Sequence, residues 1–178
     1  FVSGGNGDPS QVLAITGETP GINGSVDTVT VAFHPGTLDQ IWDRVYSTPD
    51  VCDDGYYTND MPADIQVDSS KNYIAVTGTT IGGCGPEPAD IFTVVYDADD
   101  GTPVFEQVYS SAGETDDTAI GVRIIDTSVV VGGTISTPTG TQPVAVAYGL
   151  ATGNLLWTSA AYAEAGRNVS AKAMERHP

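Results

Sequence analysis

Three stretches of this chain superpose on one another: Thr28–Tyr46, Ile91–Tyr109 and Pro143–Tyr162. Phe33, Tyr96 and Tyr148 fall in register, and nine residues later so do Trp42, Phe105 and Trp157. Each stretch is preceded by a small apolar run ending in glycine: Ala14–Gly17, Ala75–Gly78 and Val130–Gly133. These glycines recur at intervals of 61 and 55 residues. A period this long, written in Val, Ile, Thr and Tyr, means stacked sheets or blades rather than a helical solenoid.

Each unit reads as four short strands. The first is Val12–Gly17, Tyr73–Gly78 or Val129–Gly133, and the second Thr28–Phe33, Phe92–Tyr96 or Val144–Tyr148. The third is Gln40–Tyr46, Val104–Tyr109 or Leu155–Ala160, and the fourth Asp64–Val67, Gly121–Ile125 or Val169–Ala173. In TVTVAF the residues Val29, Val31 and Phe33 share one strand face. No segment has a sustained 3.6-residue period. Second and third strands are joined by tight hairpins, with Gly101 and Gly153 supplying positive φ and His34-Pro35-Gly36 doing the same job. Asp97–Gly101 resembles the start of a calcium loop, but Val108 stands at the twelfth position, where a bidentate acid is needed. It reads as a hairpin.

The other two connections of each unit are long. Strand alternation sends them all to one end of the sheets, where function on a rigid β-scaffold tends to sit. That end would carry Glu18, Asp27, Asp50, Asp53, Asp54, Asp60, Glu87, Asp90, Glu114, Asp116, Asp117 and Glu164, which is 12 of the 23 acids, against the single base Arg167. The net charge of −17 excludes nucleic acid as a partner and disfavours anionic membrane surfaces. No apolar run approaches the roughly 18 residues that cross a bilayer, so no membrane insertion is expected. The acidity fits a secreted protein's solubility, a salt-rich habitat or divalent-cation binding.

The segment Ala147–Trp157 resembles the tryptophan-docking motif of quinoprotein-like (PQQ-like) β-propeller repeats. Ala147, Thr152, Gly153 and Trp157 match it, with Gly149 where Asp is usual. Val95–Phe105 keeps Asp97 and Gly101 but has Phe105 for Trp, and Ala32–Trp42 keeps only the ends. The resemblance covers most of the chain and implies an all-β fold of three four-stranded antiparallel blades with staggered terminal strands. Repeats would occupy about 12–67, 68–125 and 126–174, between an N-terminal segment 1–11 and a tail 175–178. It also implies that each fourth strand is the innermost strand of the following blade. The chain would then open with an outer trio, Val12–Tyr46, and close with a lone inner strand near Val169–Ala173. Closed propellers take four to eight blades, so three imply either a part of a longer chain or association of copies by strand exchange, as a ring or a filament.

The candidate sites are few. Cys52 and Cys84 fall on loops of neighbouring units at the same end. A disulfide between them would imply an oxidising compartment and contribute about 3 kcal/mol; the alternative is two free thiols. Asn23 and Asn168 head N-x-S sequons. Asp53-Asp54 and Asp116-Asp117 are candidates for a loose calcium-type site, against a reading as solvated charge. Trp42, Phe105 and Trp157 are expected to pack between blades. His34 and His177 are the only histidines, and His34 lies at the opposite end, so no Ser-His-Asp or Cys-His arrangement can be built on the acidic end. The expectation is a non-catalytic extracellular or cell-surface module for binding, adhesion or assembly, with no cofactor beyond calcium and with itself, a protein or a glycan as partner. The alternative is a fragment of a quinoprotein dehydrogenase or of a propeller hydrolase.

Overall fold

Short runs of β-branched and aromatic residues, punctuated by turn residues, produce a structure made of strands. The computed structural model describes residues 11–21, 24–48, 58–68, 70, 72–82, 88–112, 115–160 and 168–175. Among them lie eleven strands: β1 Leu13–Pro20, β2 Val26–Phe33, β3 Gln40–Tyr46, β4 Asn59–Asp68, β5 Tyr73–Ile81, β6 Asp90–Asp97, β7 Pro103–Tyr109, β8 Asp117–Ile125, β9 Ser128–Thr137, β10 Gly140–Gly149 and β11 Leu155–Ala160. They form three antiparallel meanders: β1-β2-β3, β4-β5-β6-β7 and β8-β9-β10-β11. The all-β expectation holds. Two sheets have the expected four strands, and the first has three.

The grouping follows the staggered reading. β4 pairs with β5 and β8 with β9, each inside the sheet that follows it in sequence. The opening trio is therefore present as β1–β3. The expected terminal strand Val169–Ala173 is not assigned as a strand, although its backbone is placed. Strands also run further than expected. Glu18, Asp27, Asp60, Asp90 and Asp117, expected on loops, lie in β1, β2, β4, β6 and β8. The connection expected across Thr134–Gln142 is instead a tight turn between β9 and β10.

Two apolar seams hold the sheets together. In the first, Ala32, Trp42 and Tyr46 of the first sheet pack on Ile74, Val76, Phe92, Val94 and Tyr96 of the second. In the other, Ala75, Ile91, Val95 and Phe105 meet Val122, Ile124, Val129, Val131, Val144, Val146 and Tyr148 of the third sheet. Burial of both faces of the second sheet explains why β5 and β6 read as continuous apolar runs.

The three hairpins are alike down to their hydrogen bonds. The backbone N–H groups of His34, Asp97 and Gly149 donate to the carbonyls five residues on, at 2.9, 2.9 and 2.8 Å. The side chains of Thr37, Asp100 and Thr152 accept from the N–H two residues further on. Asp97 and Asp100 thus serve the turn, in keeping with the hairpin reading. Hydrogen bonds from the Thr102 side chain and backbone N–H hold the exposed Asp100 carboxyl below its ordinary pKa. The left-handed position is the fifth in each hairpin: Gly101 at φ +71°, Gly153 at φ +67° and Leu38 at φ +62°. In the first hairpin it therefore falls on Leu38 and not on the Pro35-Gly36 corner.

A Cβ on Gly101 would lie 2.6 Å from Trp42 Cδ2, besides carrying the left-handed backbone. Gly101→Ala is expected to destabilise the fold by about 1–3 kcal/mol in urea unfolding. Gly24→Ala carries similar backbone strain, at φ +89°, with nothing within 4 Å. The difference between the two variants reads out the indole clash alone.

Candidate functional site

Both seams are closed by the same polar latch, built at the start of β4 and around the start of β8. Asn59 Oδ1 accepts the Val26 N–H at 3.0 Å, and Asp116 Oδ1 accepts the Ala89 N–H at 3.1 Å. Val26, Ala89 and Thr141 are equivalent in the repeat, and Asn168 Oδ1 accepts the Thr141 N–H at 3.2 Å. The next residue forms the second half of the latch. Asp60 accepts from the Thr48 N–H and hydroxyl, both at 2.7 Å. Asp117 accepts from the Ser111 N–H at 2.6 Å and its hydroxyl at 2.8 Å. Both carboxylates are fully buried. Burial raises the Asp117 pKa, and the Ser111 bonds pull it part of the way back.

The third copy of the latch lies on residues 168–175, and it shows what that segment is. The Val169 N–H donates to Thr141 O at 2.8 Å, as the Asp117 N–H donates to Ala89 O at 2.6 Å. The Ala171 N–H donates to Thr134 Oγ1 at 3.0 Å, as the Ala119 N–H donates to Thr79 Oγ1 at 3.1 Å. Residues 168–175 thus rest on the third sheet as β8 rests on the second. Arg123 ties consecutive inner segments together. It bonds Asp64 of β4 at 2.7 Å on one side and the Met174 carbonyl at 2.7 Å on the other.

The aromatic positions divide. Trp42 is 5% exposed, and its Nε1–H donates to Ala98 O at 2.9 Å. Phe105 is 8% exposed and packs on Gly153, as Trp42 packs on Gly101. Trp157 is 47% exposed, beside the exposed Leu155 and Leu156. Among the described residues no sheet covers it, whereas Trp42 and Phe105 are buried between sheets.

The opposite end of the stack is open in a complementary way. Ile74, Val76, Phe92 and Val94 of the second sheet are fully buried under the first. Their counterparts on the first sheet are Leu13, Ile15, Val29 and Val31; Ile15 is 56% exposed and Leu13 is exposed as well. Among the described residues the stack therefore has two unlike apolar ends: one bears an aromatic knob, the other the face that receives such knobs inside the chain.

The remaining candidates fall as follows. Cys52, Cys84, Asn23, Asp53, Asp54 and His177 lie outside the described residues, as do Asp50, Glu87, Glu114, Glu164 and Arg167. Asn168 is exposed. Asp116 and Asp117 are adjacent but form the two halves of one latch, with different partners, and among the described residues no group of three His, Cys, Asp or Glu is placed to hold a metal ion. Among those residues, too, no helix is long and apolar enough to cross a membrane. His34 sits exposed at the hairpin end, away from the latches. A depression of about 230 Å³ at that end is lined by Tyr73, Asp126, Thr127, Leu150 and Ala151. It falls below the usual size of a ligand pocket.

The latch residues were not singled out as such from the sequence. Part of their signal was present: Asp116-Asp117 and Asn168-Val169 stand at one offset beyond Phe105 and Trp157, and Thr48 and Ser111 each stand two residues beyond Tyr46 and Tyr109, but a longer connection puts Asn59-Asp60 farther from Trp42. Compared with known proteins, the chain matches no protein-family model and none of the curated proteins.

Proposed function

We propose that this chain is a non-catalytic β-propeller-type module, secreted or displayed at the cell surface, that works by binding or adhesion and by assembling with itself. The observation that carries the reading is the latch built three times: twice it joins one sheet to the next, and the third time it holds an extended segment that has no sheet of its own. The described residues form a repeat with two open, unlike faces, which suits a ring, filament or surface-layer subunit. The propeller description is supported by the staggered grouping of strands and by the Trp42 and Phe105 seams, which match the resemblance to quinoprotein-like repeats. Of the described acids at the long-connection end, Asp60 and Asp117 are committed to buried latches, while Glu18 and Asp116 are exposed where a protein or glycan partner would meet them. Calcium has no assembled cage among the described residues.

Light scattering combined with negative-stain microscopy tests the reading. A discrete particle near twice 18.4 kDa, or regular fibres, is the expected result. A monomer at all concentrations would remove self-assembly as the task. Uptake of a quinone with calcium, together with reduction of a dye by alcohols or sugars, would instead establish the dehydrogenase alternative.

A further inference from the structure

We propose that the inner strand, which the first sheet lacks among the described residues, is supplied by residues 168–175 of a second copy of this chain. The inference rests on the assembly reading and specifies its interface. In the second and third sheets β4 and β8 do two jobs: each lies on the preceding sheet and pairs with the strand that follows it, β5 or β9. Residues 168–175 do the first job on the third sheet, and among the described residues pair with no strand. Conversely, β1 is the counterpart of β5 and β9, and among the described residues it pairs with β2 alone. A strand with an open side and a strand site with no strand are complementary, and β-augmentation joins them.

Gly17 supplies an independent argument. Its counterparts have reasons to be glycine. A Cβ on Gly78 would strike the Met61 carbonyl oxygen of the paired inner strand, and one on Gly133 would come within 2.6 Å of the Thr118 carbonyl oxygen. A Cβ on Gly17 would meet nothing within 4 Å, and its φ is not left-handed. The first sheet thus carries the glycine that an inner strand demands, without the strand. The equivalent carbonyl is that of Ser170.

Both complete sheets give the same register. Pro62 faces Gly78 and Asp64 faces Thr77; Ala119 faces Gly133 and Gly121 faces Gly132. Transferred to the open site, Ala171 faces Gly17, Ala173 faces Thr16 and Met174 faces Ile15. The same approach sets the exposed Trp157 face of one copy against the Ile15 face of the other. Leu38 makes this seam unlike the internal ones. It puts a Cβ where Gly101 and Gly153 have none, so Trp157 cannot seat as Trp42 does, and the strand is the part that commits.

Two variants of the full chain test this. Ala173→Cys and Thr16→Cys proteins are prepared separately, mixed and oxidised, and cross-linked peptides are identified by mass spectrometry, so that Cys52 and Cys84 are not confused with the new pair. The expected result is at least about tenfold more cross-link than for Ala173→Cys with Glu18→Cys, two residues out of register. Gly17→Ala is expected to leave the Tm of the dilute monomer unchanged and to weaken association at least about tenfold. Assembly that survives Gly17→Ala, or without register preference, would overturn the interface while leaving the assembly reading intact. A Gly17→Ala monomer that is destabilised would mean that the site is filled within one chain, which also overturns it. A parent protein that never associates would overturn both.

Discussion

Trp42→Ala is expected to destabilise the chain by about 3–5 kcal/mol, whereas Trp157→Ala, at the equivalent position of the third sheet, costs less than about 1 kcal/mol. Trp42 fills the first seam. It lies over Gly101, tilted against Tyr96 with ring centroids 5.6 Å apart, and its indole N–H is bonded to Ala98 O. Arg44 bonds Gly101 O at 2.9 Å from the same side. Truncation opens a cavity between two sheets and orphans a buried carbonyl. Trp157 has the same sequence context with half its surface in water, so little is lost. Denaturant unfolding at low concentration gives both values. Because the chain has two tryptophans, each variant also leaves one reporter: emission stays blue when Trp42 remains and red when Trp157 remains. Equal costs for the two variants would mean that Trp157 is covered and that the open end does not exist in solution.

That contrast shows what the sequence could convey. Periodicity identifies which positions are equivalent, so Trp42, Phe105 and Trp157, the three hairpins and the strand cores were all legible. Periodicity does not say whether another sheet follows, and on that the burial of Trp157 depends. Strand ends were read short because Glu18, Asp27 and Asp90 look like loop residues, yet each continues the register of its neighbour. The left-handed residue was expected near Gly36, because glycine adopts that conformation freely. The hairpin geometry instead fixes the fifth position, and Leu38 takes the strain. Most instructive is the face of Val29, Val31 and Phe33. Alternation marks it as the apolar side of β2, but it is the opposite side, with Thr28, Thr30 and Ala32, that is buried in the first seam. A strand with two apolar-tolerant sides can be assigned only when the neighbouring sheets are known, and here one of those neighbours is the proposed second copy.

The second large effect concerns the buried latch. Asp117→Ala is expected to cost about 2–4 kcal/mol at neutral pH, and Asp60→Ala a similar amount. Each leaves an N–H, of the buried Ser111 or the half-buried Thr48, together with its hydroxyl, without the acceptor that held them. Asp117→Asn is expected to cost less, since an amide keeps one acceptor for the N–H and offers a donor to the hydroxyl while removing a buried charge. The pH dependence separates these variants. Because burial raises the Asp117 pKa in the folded state, the folded chain holds this proton more tightly than the unfolded one. The contribution of the group to stability is therefore greatest below the ordinary carboxylate range. It declines as pH rises through the raised value and is flat above it. The wild-type protein should accordingly gain stability over Asp117→Asn as pH falls through that window, measured as the difference in denaturant midpoints so that titration of the other acids cancels. A difference that moves the other way would mean that the two Ser111 bonds outweigh burial. The latch would then be held by its charge rather than in spite of it, and closing a seam would become sensitive to acid. The same bonds explain why the segment 168–175 can hold its place without such a group. At Val169 the carboxylate is replaced by an apolar side chain, and the backbone bond to Thr141 and the Asn168 contact remain. That leaves a segment held on the third sheet at Asn168, Val169, Ala171 and Met174 but, among the described residues, paired with no strand, as a strand offered to another sheet must be.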